Sequence, residues 1–155
     1  MKRFILLIAI FCSFAFISCS SSSGGDDLPG LSTAPYNSRK AMSCTMQAIL
    51  DIAYEINING AYSNVTVSTD GNSFTATNAV IDVLFDYTDY EVSLSGTISV
   101  SSGGNKTVFD VTLSRCQSLI ETLYCTFHIE ANNKNGKTKY TKVILNGKEY
   151  EYDLD

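Results

Sequence analysis

From residue 73 to residue 131 apolar and polar side chains alternate, and that rhythm constrains the fold more than any other feature of the chain. Val92, Leu94, Ile98 and Val100 share one parity within residues 90–101, as do Phe109, Val111 and Leu113 within 106–114. Leu123, Cys125, Phe127 and Ile129 repeat the pattern in 121–131. A period of two sends alternate side chains to opposite faces of an extended strand, so each segment predicts a strand with one buried face and one solvated face.

Turn chemistry separates these runs. Residues 62–69 end at Asp70-Gly71, a hairpin signal. Residues 73–87 change inward parity between Ala76 and Ala79, which predicts a bulge near Asn78. Ser102-Gly103-Gly104-Asn105 turns the chain again, and Asn146-Gly147 stands where a two-residue type I′ turn requires it. That last register sets Leu145 opposite Lys148, Val143 opposite Tyr150 and Thr141 opposite Tyr152. Upstream, Met46, Ala48, Leu50, Ile52, Tyr54, Ile56 and Ile58 share even parity and predict a first strand over residues 45–58. A helix over 41–53 is the competing reading, because Ala, Met and Leu favour it. The expectation is an all-β domain: an antiparallel meander of about eight strands, closed as a small barrel or folded as a sandwich. Nine tyrosines and no tryptophan suit half-buried sheet faces. Because nearly every strand has a polar face, the apolar face is needed for a core, and a membrane-embedded barrel does not fit.

The chain begins differently. Lys2 and Arg3 precede an apolar run, Phe4 to Ile17, broken only by Ser13. The run falls short of the roughly 20 apolar residues of a spanning helix, and has the flanks of a cleaved secretory signal. On that reading alone Cys19 is left as a thiol near the cleavage point. Phe16-Ile17-Ser18-Cys19, followed by a Ser/Gly run, resembles the lipobox of bacterial lipoproteins. The resemblance implies a diacylglyceryl group on Cys19, cleavage after Ser18, and an acylated cysteine as the mature N-terminus. Two or more acyl chains anchor a protein stably, whereas one does so marginally. Ser20, in place of Asp, implies delivery to the outer membrane by the proteobacterial sorting rule. Residues 20–35 have the polar composition of a tether. The segments GTISVSS (96–102) and ILNGKEY (144–150) also resemble strand and turn patterns of many envelope lipoproteins, a resemblance that implies no activity. The domain plan is a signal peptide over 1–18, a lipid-anchored flexible linker over 19–40, and a β-rich domain over 41–155.

Removal of Lys2 and Arg3 takes the formal charge from −5 to −7. A chain that acidic is a poor partner for nucleic acid or anionic lipid. With Cys12 lost in the signal and Cys19 acylated, Cys44, Cys116 and Cys125 remain, an odd number with no CxxC spacing. In an up-and-down meander Cys116 and Cys125 flank one turn, so a bridge between them is feasible; three buried free thiols is the other reading.

Catalytic signals are thin. His128 is the only histidine and shares outward parity with Tyr124 and Glu130, away from Cys125. Asp82, Asp86, Asp89 and Glu91 cluster around one turn and could hold Ca²⁺ through oxygens, but the EF-hand spacing and glycine are missing, and a solvated turn is the simpler reading. No metal site or cofactor is expected. Lys134, Lys137, Lys139, Lys142 and Lys148, interleaved with tyrosines, read as protection of a sheet edge, or as a basic face for an acidic polymer or partner protein. The expectation is a non-catalytic, lipid-anchored envelope module that binds a protein or glycan or has a structural role. The alternative is a hydrolase-like enzyme with a site near Asp82–Glu91 or His128.

Overall fold

A computed structural model describes residues 31, 33–101, 103–134 and 137–151. Seven strands form one antiparallel sheet in sequence order: β1 (Val65–Val67), β2 (Ser73–Phe85), β3 (Thr88–Val100), β4 (Lys106–Gln117), β5 (Thr122–Lys134), β6 (Lys137–Leu145) and β7 (Lys148–Tyr150). The meander expected from the alternation is the frame of the molecule. The sheet is open, with β1 and β7 at its two edges, so it does not close as a barrel.

The layer packed on the sheet is a helix, α1 (Tyr36–Asn59), where the sequence reading set a first strand. Its buried residues Ala41, Met42, Thr45, Ala48, Ile49, Ile52, Ala53 and Ile56 follow the spacing of one helical face. Tyr54 and Ile58, two members of the expected even-parity strand face, are each 57% exposed. Two terminal signals bound the helix. Pro35 stands immediately before it, and Gly60 ends it at φ 79 with its N–H donated to the Ile56 carbonyl. With 24 residues free of Gly and Pro between those stops, a 3.6-residue stripe that fits the open sheet wins over period two. The helix begins inside the segment read as flexible linker, 19–40, and Leu31 and Ala34 are already buried.

The core lies between α1 and the inner sheet face, where Phe74, Val83, Tyr90, Leu94, Ile98, Phe109, Phe127 and Ile129 meet the helix stripe. The bulge expected near Asn78 is present: the β2–β3 register shifts between Ala76 and Ala79, and Asn78 has φ 54. A second shift, between Ser95 and Gly96 on β3, presses Gly96 against β4. A third, between Val111 and Ser114, turns Leu113 outward to 52% exposure and buries Ser114 in its place. The β6–β7 register pairs Leu145 with Lys148 and Val143 with Tyr150, as the Asn-Gly turn dictates; Tyr152 lies outside the described residues.

Candidate functional site

Antiparallel order sorts the turns into two ends. The β2–β3, β4–β5 and β6–β7 turns share one end with the first turns of α1. Three contacts fix the helix there. Lys40 Nζ donates to Glu121 Oε1 at 2.6 Å, joining the helix to the β4–β5 turn. The Tyr90 hydroxyl, from the start of β3, donates to the same carboxylate. Asn146 Nδ2, in the β6–β7 turn, donates to Ser38 Oγ at 3.1 Å. The Lys40 ammonium also lies 5.7 Å from the centre of the Tyr90 ring. The Glu121 carboxylate holds Lys40 well above the usual lysine range, against the effect of burial. Burial first, and Glu121 second, raise the Tyr90 phenol.

Between the β2–β3 and β4–β5 hairpins lies an open depression of about 580 Å³, lined by Asp82, Leu84, Asp89, Glu91 and Leu119 among others. Asp82 and Glu91 face each other across the β2–β3 ladder, and Arg115 Nη2 donates to Glu91 Oε1 at 3.2 Å. Asp86 sits apart in the turn itself, at φ 48. The structure therefore brings three of the four expected carboxylates together. Among the described residues no group of three His, Cys, Asp or Glu side chains is placed to hold a metal ion.

His128 lies on the outer face, as its parity implies, but its setting includes a residue that sequence did not point to. Its Nε2 is 3.0 Å from Glu130 Oε1 and its Nδ1 3.8 Å from Asp110 Oδ1, because Asp110 is its ladder partner on β4. Lys106 Nζ donates to Glu130 Oε2 at 2.6 Å. His128 and Lys106 together hold the Glu130 carboxyl down at about 2. This is an outward-facing charged and polar cluster on the sheet.

Of the two readings of the thiols, the structure has the unbridged one. Cys44, Cys116 and Cys125 are all free and buried. Cys116 is laddered with Leu123 and Cys125 with Ser114, so the two are offset along the strands. Around Cys116 Sγ stand Thr45 Oγ1 at 3.5 Å and, at 3.6 Å, Ser114 Oγ and the Ala41 carbonyl oxygen, and Cys44 of α1 is the neighbouring thiol that acts on it. Thr45 Oγ1 is hydrogen-bonded to Ser114 Oγ and donates to the Ala41 carbonyl at 2.7 Å. The Cys44 S–H and the Thr45 and Ser114 hydroxyls pull the Cys116 thiol down, while Cys44, bonded to Cys116 and desolvated, is pushed up. Burial pushes Cys125 up to about 12. Sequence carried no signal for this polar seam, because a strand over 45–58 leaves no helix face for Cys44 and Thr45 to share.

The lysines do not make one face. Lys139 and Lys142 fall on the outer side, where Lys142 is laddered with Glu130. Lys148, laddered with the buried Leu145, lies on the inner side over the Tyr150 ring, 5.1 Å from its centre. Lys134 pairs with Lys137 at the opposite end of β5 and β6. Tyr140 is buried at 6% exposure and is not available as an aromatic contact. Cys19 lies outside the described residues.

One further feature marks the tip end. Tyr87 is 99% exposed in the β2–β3 turn, Leu119 and Ile120 are 105% and 84% exposed in the β4–β5 turn, and Leu84 is 68% exposed beside them. Comparison of the chain with protein-family models, curated proteins and solved structures gave no match.

Proposed function

We propose that the chain is a lipid-anchored cell-envelope protein whose folded part is a non-catalytic binding or structural module. The observation that carries this reading is the amino-terminal pattern: a basic start, an apolar run from Phe4 to Ile17, Ser18-Cys19, and a Ser/Gly stretch. In support, Cys44, Cys116 and Cys125 are free but buried in the core, so none of these three presents a thiol at the surface. Nucleophilic catalysis needs a nucleophile within reach of a base. His128 contacts carboxylates, and Cys125 points to the other sheet face.

Fractionation of producing cells tests the reading. The protein should stay with membranes through salt washing, and a Cys19→Ala variant should lose that retention or accumulate unprocessed. Wild-type protein recovered in the soluble fraction would overturn it. Protease treatment of unbroken cells then separates a surface role from a periplasmic one.

A further inference from the structure

We infer that the tip end of the sheet docks on the bilayer to which the chain is anchored, with Tyr87 and the Leu119-Ile120 pair entering the lipid interface as two prongs. The inference rests on the anchor reading above and adds an orientation and a contact surface to it.

Turn chemistry is the first argument. A two-residue turn with both residues at positive φ is normally Asn-Gly or a similar pair, because side chains are strained there. Here Asp86 and Tyr87 hold φ 48 and 59, so an aromatic residue occupies a costly conformation and is fully exposed. The β4–β5 turn is held by its own bonds, with Ser118 N–H donated to the Glu121 carbonyl at 2.9 Å, and presents Leu119 and Ile120 outward. Single exposed apolar residues are ordinary. Three at the tips of two hairpins, with Leu84 beside them, are not explained by folding.

The second argument is where the chain enters. Leu31 accepts a hydrogen bond from Arg39 Nη1 in the first turns of α1, and those turns are tied to the same end through Glu121 and Asn146. Leu31 lies twelve positions beyond Cys19, a reach of at most about 43 Å. A lipid on Cys19 therefore keeps this end, where the chain enters the fold, within reach of the membrane. Tethering makes docking an intramolecular event at an effective concentration in the millimolar range, so weak side-chain insertion suffices. Tyrosine suits the headgroup level and Leu and Ile the acyl boundary below it.

Charge narrows the lipid class. Asp86 and Asp89 flank the Tyr87 prong, and of the basic groups at this end Lys40 and Arg115 are paired with Glu121 and Glu91 while Lys148 lies over the Tyr150 ring, so anionic headgroups repel the prong and zwitterionic ones do not. The surface fits a zwitterionic bilayer.

Because the chain has no tryptophan, Tyr87→Trp and Ile120→Trp each report one prong, and Asn105→Trp reports the exposed turn at the opposite end. The full chain is reconstituted in phosphatidylcholine vesicles containing brominated acyl chains, and floated vesicles are measured. Palmitate labelling is scored separately; the apolar run 4–17 keeps unprocessed chain on the vesicles too, so docking is read whether or not Cys19 is acylated. The expected result is emission shifted to shorter wavelength and quenched at positions 87 and 120, unshifted and unquenched at 105, with quenching reduced when phosphatidylserine is added. Emission at 87 and 120 as water-like as at 105 would overturn the docking while leaving the anchor standing. Failure of palmitate labelling with quenching intact would overturn the anchor alone.

Discussion

Gly96 offers the sharpest quantitative test of the fold. It sits at φ 155, opposite the β4 bulge at Thr112, where the backbone of β4 comes close. A Cβ at this position would lie 2.8 Å from Val111 Cα and closer still to the Asp110 carbonyl oxygen. Both obstacles are backbone atoms of a central strand, so no side-chain rotation relieves them. Overpacking of this kind costs about 1–3 kcal/mol, and a glycine-type φ adds about 1 kcal/mol. Gly96→Ala should therefore cost about 2–4 kcal/mol, a large share of the roughly 5–15 kcal/mol that holds a domain folded. With a urea m-value of about 2 kcal/mol/M, the midpoint falls by about 1–2 M. Gly147→Ala is the matched control: φ 80, with nothing within 4 Å of the added carbon. It carries the conformational cost alone and should lower the midpoint by about 0.5 M. Equal midpoint shifts for the two variants would refute the close approach of β3 and β4 at the bulge.

Three other outcomes follow from the buried seam and the outer face. Thr45→Val should cost about 1–3 kcal/mol in urea unfolding, because it leaves the buried Ser114 hydroxyl with only the long contact to Cys116 Sγ at 3.6 Å. Ser114→Ala should cost less, since Thr45 keeps the Ala41 carbonyl. Mild oxidation by a disulfide reagent should join Cys44 to Cys116, read by peptide mass spectrometry, and a Cys116–Cys125 product from native protein would contradict the register. Glu130 is held at about 2, below its ordinary 4.5. The unfolded chain then binds the extra proton, so this group stabilises the fold above about pH 4.5 and the contribution is lost as pH falls toward 2. Glu130→Gln should flatten the stability profile across that window in acid titration.

Much of the sheet was legible because its information is local. Val92, Leu94, Ile98 and Val100 name their face by alternation, Asn146-Gly147 sets its own register, and the parity change at Ala76 and Ala79 marks a bulge. The helix was misread because apolar residues at Met46, Ala48, Leu50, Ile52, Tyr54, Ile56 and Ile58 satisfy period two while a 3.6-residue stripe runs through the same stretch. Pro35 and Gly60 were the deciding signals, and they lie outside the window in which the alternation is counted. Leu113 was set inward because its bulge arises from pairing between β4 and β5, which no single segment encodes. The Lys40–Glu121–Tyr90 and Cys44–Cys116 contacts join residues from distant parts of the chain, so they become visible only once the helix is laid on the sheet.

The proposed function depends on a lipid at Cys19. Labelling producing cells with a palmitate analogue and identifying the modified amino-terminal peptide tests it most directly. Label is expected on wild-type protein whose mature chain begins at Cys19, and none on Cys19→Ala. Wild-type protein without label, or label that persists in the variant, would contradict it.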